Sequence, residues 1–385
     1  MNFLITGMFR SGTTMLAKML DANPRIICVS DPYAPLYKSF RNRVAEESGF
    51  VDIDPLEPLN DYYFEPAQNN LFQSIQETGL DLSLPTEELE SLRERIHKHC
   101  QPYSPGISKF LRDLDGSNYT DLFKNGNRLL AQAYPKDGAQ AVGSKEVWIG
   151  EFAPHFFRLA QGNKVVFVVR DPRAVVASNY ASPGIYPLLF LIRQWRKLAS
   201  LAWWFSQGHS QAMLLKYEEV VADPAGAAQS LCEFLDVDYS ADMLDPGGYR
   251  DGDGKPWKQN SSYQDIGGGY KGQQFEKRSL EKWKEVLPPM YTQVVDTLCY
   301  FEMKLLGYTP SIPVVTSVLL DFEDNVETFS EWIRPYSNYN YFKEISVELY
   351  RHRLLSDQKE VSTNVQQLLS LLPGIHEGLC SNAAR

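Results

Sequence analysis

The sequence has few cysteines and no cysteine pattern. Its 385 residues include five, an odd number, and these are scattered without a Cys-x-x-Cys pair or a histidine at metal-ligand spacing. Such a set argues against a disulfide framework and suggests no structural metal site. We therefore expect reduced thiols and no bound metal.

Positive charge is also scarce. The chain carries 38 Lys and Arg against 48 Asp and Glu, a formal net charge of -10. A broad basic surface of the kind that holds nucleic acid, heparin-like chains or anionic membranes is therefore not expected, because such partners are bound by Lys and Arg. Local basic pockets remain compatible with this balance.

Long hydrophobic runs are absent. The longest apolar stretch, near residues 187–192, is far too short to span a bilayer, so an integral membrane protein is not expected. The first predicted strand begins at Phe3, which leaves no room for a signal peptide. These features predict a cytoplasmic protein.

A strand, a loop and a helix are predicted in the first twenty residues. An apolar run from Phe3 ends in a turn bounded by Gly7 and Gly12, and apolar residues resume at helical spacing from Met15. Backbone N–H groups at a helix N-terminus favour an anionic ligand, so the turn predicts a phosphate site. The spacing is that of GxxxxGK[ST], but Thr13 stands where that loop has its lysine. A bound triphosphate is therefore not expected.

Alternating strand and helix patterns continue along the chain and predict an α/β fold, a P-loop-like open parallel sheet flanked by helices. Further strands are predicted at 25–29, 141–145, 164–169 and 213–219. Asp31, Lys145 and Arg170 each stand at or just beyond a predicted strand end. In an open parallel sheet such positions border the ligand crevice.

Three other regions differ in character from this pattern. Residues 40–135 predict a mainly helical insertion, in which the aromatic run 62–64 could pack internally or stack on a sugar ring. Residues 251–272, rich in Gly, Lys, Asn and Ser, predict a long functional loop. We expect an α/β domain over 1–308, including the insertion, and a helical C-terminal extension over 309–385 that covers the core or forms a homodimer contact.

Two motifs resemble those of sulfotransferases that use 3′-phosphoadenosine-5′-phosphosulfate (PAPS), of bacterial type and with features like those of tyrosylprotein sulfotransferases. The run Arg10-Ser11-Gly12-Thr13-Thr14 resembles their 5′-phosphosulfate loop. Arg170, with Ser178 eight residues further on, is similar to their 3′-phosphate site. The resemblance covers roughly residues 1–308 and implies PAPS as the donor, without a metal.

The resemblance also implies roles for further residues. Tyr217 is similar to a tyrosine beside the adenine, and Lys271 resembles a nucleotide-binding element. Arg10 and Lys145 would stabilise charge in the transition state. Ser261 would share that work, with Ser262 as its alternative and a further donor contact.

The base that activates the acceptor has more than one candidate. Asp31 aligns with the catalytic glutamate of tyrosylprotein sulfotransferases, whereas many cytosolic sulfotransferases use a histidine. No histidine of this chain stands in a matching motif, but His97 and His99 lie in the insertion.

The function predicted from the sequence is transfer of the sulfuryl group from PAPS to a hydroxyl of a carbohydrate, small-molecule or lipid acceptor. Two alternatives stay open at this point. One is a P-loop kinase-like phosphotransferase, and the other is a non-catalytic nucleotide-binding assembly protein.

Overall fold

A computed structural model describes residues 1–50, 59, 61–180, 186–257, 275, 277–311 and 341–383. The predicted site residues Ser261, Ser262 and Lys271 lie outside these ranges.

The described part of the chain forms a sheet of five strands in the order β2-β3-β1-β4-β5, and every neighbouring pair is parallel. Its strands are β1 (Asn2–Gly7), β2 (Ile26–Ser30), β3 (Ala141–Val147), β4 (Lys164–Val169) and β5 (Ala212–Lys216). Strands β1 and β4 lie inside the sheet, and their residues from Phe3 to Ile5 and from Val165 to Phe167 are fully buried. The predicted open parallel sheet is confirmed.

Helices provide the crossover connections that parallel strands require. Their bounds are α1 (Thr13–Asp21), α2 (Ala34–Glu47), α3 (Pro66–Glu77), α4 (Thr86–Cys100), α5 (Tyr119–Ala133), α6 (Ala153–Leu159), α7 (Pro172–Tyr180), α8 (Leu188–Gly208), α9 (Tyr217–Ala222), α10 (Pro224–Phe234), α11 (Arg278–Glu281), α12 (Trp283–Val286), α13 (Pro289–Leu298), α14 (Tyr300–Leu305), α15 (Tyr341–Asp357), α16 (Thr363–Ser370) and α17 (Pro373–Ala383). The mainly helical insertion is confirmed by α3, α4 and α5, and the helical C-terminal extension by α15 to α17.

One predicted strand is shorter than expected. The strand predicted over 213–219 ends at Lys216, and Tyr217 begins α9, because the Glu219 carboxylate accepts the N–H of Lys216 and caps a new helix.

The chain divides into two compact units. The first comprises Met1–Leu59, Gln73–Val169 and His209–Lys277 and contains the sheet; the second comprises Asn60–Phe72, Arg170–Gly208 and Arg278–Arg385. The boundary expected at residue 308 stays a prediction. The described residues on both sides of it belong to the second unit.

The aromatic run 62–64 belongs to the second unit, where it packs against basic side chains. Tyr62 and Tyr63 are buried. The guanidinium carbon of Arg196 lies 5.1 Å from the centroid of the Tyr63 ring, and Lys197 Nζ lies 5.1 Å from that of Tyr62. Of the two uses predicted for this run, the packing role is the one that these contacts support.

None of the helices given above, the longest of which is α8, is both long enough and apolar enough to cross a membrane.

Candidate active site

The predicted phosphate loop lies between β1 and α1. The chain turns through two left-handed residues, Arg10 (φ 66°) and Gly12 (φ 85°), and the Ser11 N–H donates to Met8 O at 3.1 Å. Ser11 is fully buried, and its hydroxyl has no hydrogen-bond partner among the described residues. A buried polar atom of this kind at the N-terminus of a nine-residue helix fits a site for an anionic oxygen.

Both glycines of the loop are required by close contacts. A Cβ on Gly7 would lie 2.2 Å from Val168 O, and one on Gly12 would lie 2.3 Å from Cδ2 of Tyr217. The Tyr217 ring therefore lies directly against the loop, although 205 residues separate Tyr217 from Gly12 in the sequence. Only a residue without a side chain fits at either position.

Arg10 has an aromatic neighbour within the loop. Its guanidinium carbon lies 4.7 Å from the centroid of the Phe9 ring, and the Phe9 and Trp148 ring centroids are 6.1 Å apart. The main-chain N–H of Trp148 donates to Gly7 O at 3.1 Å, which holds the end of β3 beside the loop. The cation predicted from the sequence thus lies over an aromatic surface.

Asp31 and Lys145, far apart in sequence, form an ion pair. Lys145 on β3 is in register with Ser30 of β2 and Ile5 of β1, and its Nζ donates to Asp31 Oδ2. Only 3% of the Lys145 side chain and 14% of the Asp31 side chain are exposed. Asp31 has a left-handed φ of 47°, and its N–H donates to Lys145 O at 2.7 Å. Two residues with predicted catalytic roles are thus in direct contact.

Glu146 was missed by reasoning from the sequence. It follows Lys145 on β3, is fully buried and accepts the N–H of Tyr33 through Oε1, while Oε2 has no partner in the described part of the chain. Burial raises the pKa of Glu146 well above its usual range, and the Asp31 carboxylate raises it further. The available signal was its position beside Lys145 at a strand end, where an acidic residue is unusual.

His99, one of the two alternative bases in the insertion, is within electrostatic range of this ion pair. It is half-buried on α4, and its Nε2 makes no hydrogen bond to any described residue. Burial lowers the pKa of His99; the Asp31 carboxylate opposes that effect, and Lys145 and Lys38 add to it. His97, two residues earlier, is exposed.

Arg170 and Ser178 belong to the second unit. Arg170 directly follows β4 in the chain and is buried; its Nη2 donates to Ser279 O at 2.9 Å. The Trp195 indole N–H donates to Arg170 O at 2.8 Å. Ser178 is half-buried, about two turns along α7.

Within the ranges that the structure describes, no group of three or more His, Cys, Asp or Glu residues is arranged to hold a metal ion.

A parallel sheet with a glycine-bounded loop at the N-terminus of its first helix defines a P-loop-like α/β protein. Residues 2–241 match a model described as the sulfotransferase family, and residues 191–307 match one described as the sulfotransferase domain. The first match covers more than half of the chain. The chain therefore belongs to the sulfotransferase family.

Solved structures with similarity to the chain include three sulfotransferases of low sequence identity. The sulfotransferase domain of the Synechococcus PCC 7002 olefin synthase is 18% identical, with 77% of this chain and 94% of that one covered and a TM-score of 0.41. The sulfotransferase domain from the curacin biosynthetic pathway is 15% identical, with coverages of 80% and 97% and a TM-score of 0.42. Sulfotransferase STF9 from Mycobacterium avium is 13% identical, with coverages of 63% and 65% and a TM-score of 0.34. A comparison with curated proteins finds no match.

Proposed function

We propose that this protein transfers a sulfuryl group from PAPS to the hydroxyl of a small-molecule, carbohydrate or lipid acceptor and releases 3′,5′-ADP (PAP). The observation that carries the proposal is the pairing of a lysine-free anion loop with the buried Lys145 on the neighbouring strand. Because the chain belongs to the sulfotransferase family, we assign this arrangement to sulfuryl transfer.

The loop residues Arg10 to Thr14 would hold the 5′-phosphosulfate. Their N–H groups lie at the N-terminus of α1, and the buried Ser11 hydroxyl has no other described partner. The absence of a side chain at Gly12 allows the left-handed turn and the close approach of the Tyr217 ring, which lies against the loop. These features fit a sulfated phosphate better than a triphosphate, whose β- and γ-phosphates call for the lysine that Thr13 replaces.

Arg170 and Ser178 would bind the 3′-phosphate of the donor. A guanidinium provides a planar fork that matches phosphate oxygens, and a serine adds a directional hydroxyl. The hydrogen bond to Ser279 O restricts the Arg170 side chain. Tyr217, which lies against Gly12, would contact the adenine, and Ser262 and Lys271 are further proposed contacts outside the described residues.

PAPS supplies a sulfuryl group on a phosphate: its S–O bond to the bridging phosphate oxygen breaks as a new S–O bond to the acceptor oxygen forms. Negative charge then grows on the phosphate side. Lys145 and Arg10 would stabilise that charge, together with the loop N–H groups and Ser261. Removing one such fixed donor typically costs about 10²- to 10³-fold in kcat.

Asp31 is the proposed base that orients the acceptor hydroxyl and takes its proton. The ion pair with Lys145 fixes its direction, and the buried Glu146 holds the following turn through the N–H of Tyr33. His99 is the second candidate, because its Nε2 makes no described hydrogen bond and its charge interacts with Asp31. The cytoplasmic location and the homodimer stay predictions from the sequence.

Calorimetric titration of PAP against the wild type, Arg170→Ala and Arg170→Lys tests the donor. We expect micromolar binding by the wild type and a loss in both variants, larger in Arg170→Ala, because lysine keeps the charge without the fork. Arg158→Ala, an exposed control, should bind like the wild type. Wild-type protein that does not bind PAP would refute the proposal.

Screening hydroxyl acceptors with PAPS in the presence of EDTA then separates the alternatives. Sulfated product under these conditions supports a sulfotransferase and argues against a Mg²⁺-dependent kinase-like phosphotransferase. PAP binding without turnover on any acceptor would favour the non-catalytic nucleotide-binding protein.

A further inference from the structure

A buried cluster of charged side chains joins α15 of the C-terminal extension to α8 within the second unit. Glu348 of α15 accepts hydrogen bonds from Arg193 Nε at 2.7 Å and from Arg196 Nη1 at 2.6 Å. Arg193 also pairs with Glu344 at 2.5 Å. Glu348 and its two arginine partners, Arg193 and Arg196, are each at most 2% exposed.

The attachment of α15 continues about one turn further along the helix, at Arg351. Arg351 forms an ion pair with Glu302 of α14 and donates to the main-chain oxygen of Leu369 in α16 at 2.8 Å. The pKa of Glu348 would be raised by burial, but Arg196 and Arg193 outweigh that effect and lower it to about 2. Glu348 therefore stays charged, and a buried charged network of this kind tolerates little displacement.

Trp195 lies between the two arginines on α8 and makes a different contact. Arg193 and Arg196, three positions apart, share one face of the helix, whereas Trp195 lies off that face. Its indole N–H donates to the main-chain oxygen of Arg170, and the side chain is almost fully buried. Helix α8 is thus held by the extension through Glu348 and holds the backbone of Arg170 through Trp195.

Further contacts restrain the Arg170 side chain and the residues that follow it. Asp171 forms a bidentate pair with Arg173, through Nε at 2.9 Å and Nη2 at 2.6 Å, and the Arg170 side chain is tied to Ser279 O. The Trp195 indole N–H adds a hydrogen bond from α8 to Arg170 O. Removing this donor would leave the buried carbonyl oxygen with one hydrogen bond fewer.

We propose that the C-terminal extension is a positioning element for Arg170: Glu348 fixes α8, and Trp195 of α8 fixes the residue that would bind the 3′-phosphate. This rests on the proposed function of Arg170. The extension then contributes to donor affinity and to the preference for a 3′-phosphorylated nucleotide without supplying a donor-binding residue.

The test compares PAP with 5′-AMP, which lacks the 3′-phosphate, by calorimetry on the wild type, Trp195→Phe, Glu348→Gln and Arg353→Gln. Loss of one neutral hydrogen bond corresponds to a roughly 3- to 10-fold change. We expect that loss of PAP affinity in Trp195→Phe, with 5′-AMP affinity unchanged, and the same selective loss in Glu348→Gln. Arg353→Gln, exposed on the same helix, should behave like the wild type.

Unchanged PAP affinity in Trp195→Phe would overturn the inference, and so would equal losses for PAP and 5′-AMP, which indicate a general structural defect. In an Arg170→Ala background, Trp195→Phe should have no further effect on PAP. If Glu348→Gln fails to fold, Trp195→Phe still tests the inference, because phenylalanine keeps an aromatic ring at this position and removes only the indole portion that carries the N–H.

Hydrogen–deuterium exchange provides a readout that does not depend on donor binding. Backbone amides around Arg170 and along α7 should exchange faster in Trp195→Phe, and unchanged exchange would refute the contact chain. If the wild type did not bind PAP, the proposed function would fail, but this measurement would still decide whether the extension positions Arg170.

Discussion

Lys145 and Asp31 form an ion pair at the carboxyl ends of two adjacent strands, and the Asp31 N–H donates to Lys145 O. The sequence separation of 114 residues is bridged by the parallel register in which Ser30 lies opposite Lys145. In the free protein each side chain therefore neutralises the other. In the proposed reaction, Asp31 would accept the proton of the acceptor hydroxyl, and Lys145 would stabilise the negative charge that develops on the donor.

Lys145→Ala should lower kcat by about 10²- to 10³-fold, because a fixed cation at the developing charge is lost.

Asp31→Asn should lower kcat by about 10²-fold or more if Asp31 is the base. The kcat of both variants is measured by steady-state assays with PAPS and an accepted hydroxyl compound. Lys124→Ala, an exposed control, should keep the wild-type rate. Wild-type turnover by Lys145→Ala would remove Lys145 from the mechanism.

The pH profile of kcat distinguishes Asp31 from His99. We expect His99→Gln to keep the acidic limb of the wild-type profile, as should His97→Gln, its exposed neighbour on the same helix. If His99 were the base, its titration would produce the acidic limb. That limb would lie below pH 6.5, because burial lowers the pKa of His99. Disappearance of the limb in His99→Gln alone would make His99 the base.

Gly12→Ala should weaken PAP binding by at least about 10-fold, because a close steric clash or a left-handed alanine each costs on the order of 1–3 kcal/mol. The added Cβ would lie 2.3 Å from the Tyr217 ring. Gly49→Ala is the matched control: Gly49 also has a left-handed φ, 74°, but has open space around its Cβ position. It should lose some stability and no PAP affinity, as calorimetry and urea unfolding can establish. Equal affinities of the two variants for PAP would contradict the placement of the loop.

His155 should make the stability of the protein depend on pH. Burial and Arg158 lower its pKa from 6.5 to about 4, while its ring nitrogen bonds to Ile75 O at 2.6 Å. The unfolded chain therefore binds a proton at higher pH than the folded chain does. The free energy of unfolding should fall as the pH drops from 6.5 to about 4, by at most about 1.4 kcal/mol per pH unit for this group.

Urea unfolding at several pH values measures this dependence. His155→Gln, whose amide can still donate to Ile75 O, should show a shallower slope over that range. His352, with a pKa also lowered to about 4, provides a second contribution that this variant retains. A slope identical to that of the wild type would show that His155 titrates normally in the folded protein.

Deletion of residues 341–385 should prevent the second unit from folding. It would leave Arg193 and Arg196 without the Glu348 carboxylate, and removing one partner of a buried pair costs about 3–5 kcal/mol. Soluble expression and circular dichroism check the outcome. A soluble, cooperatively unfolding truncated chain would show that the extension is dispensable.

Several features could be read from local sequence patterns. The apolar runs of β1 and β4 and the glycine-bounded loop each depend on neighbours within a few residues, so these elements were predicted nearly at their final bounds. The order of these elements was sufficient to indicate a parallel sheet. The same local signals gave a strand too long at 213–219, because the cap at Lys216 depends on one side chain, Glu219.

The sequence by itself determined the α/β class, the loop composition that lacks a lysine, and the positions of Asp31, Lys145 and Arg170 at strand ends. Only the tertiary structure decided which of these residues meet. Three sets of contacts join residues far apart in the chain: Tyr217 with Gly12, Glu146 with the turn after Asp31, and Glu348 through α8 with Arg170. Such contacts follow from strand register and helix packing, which no local periodicity encodes.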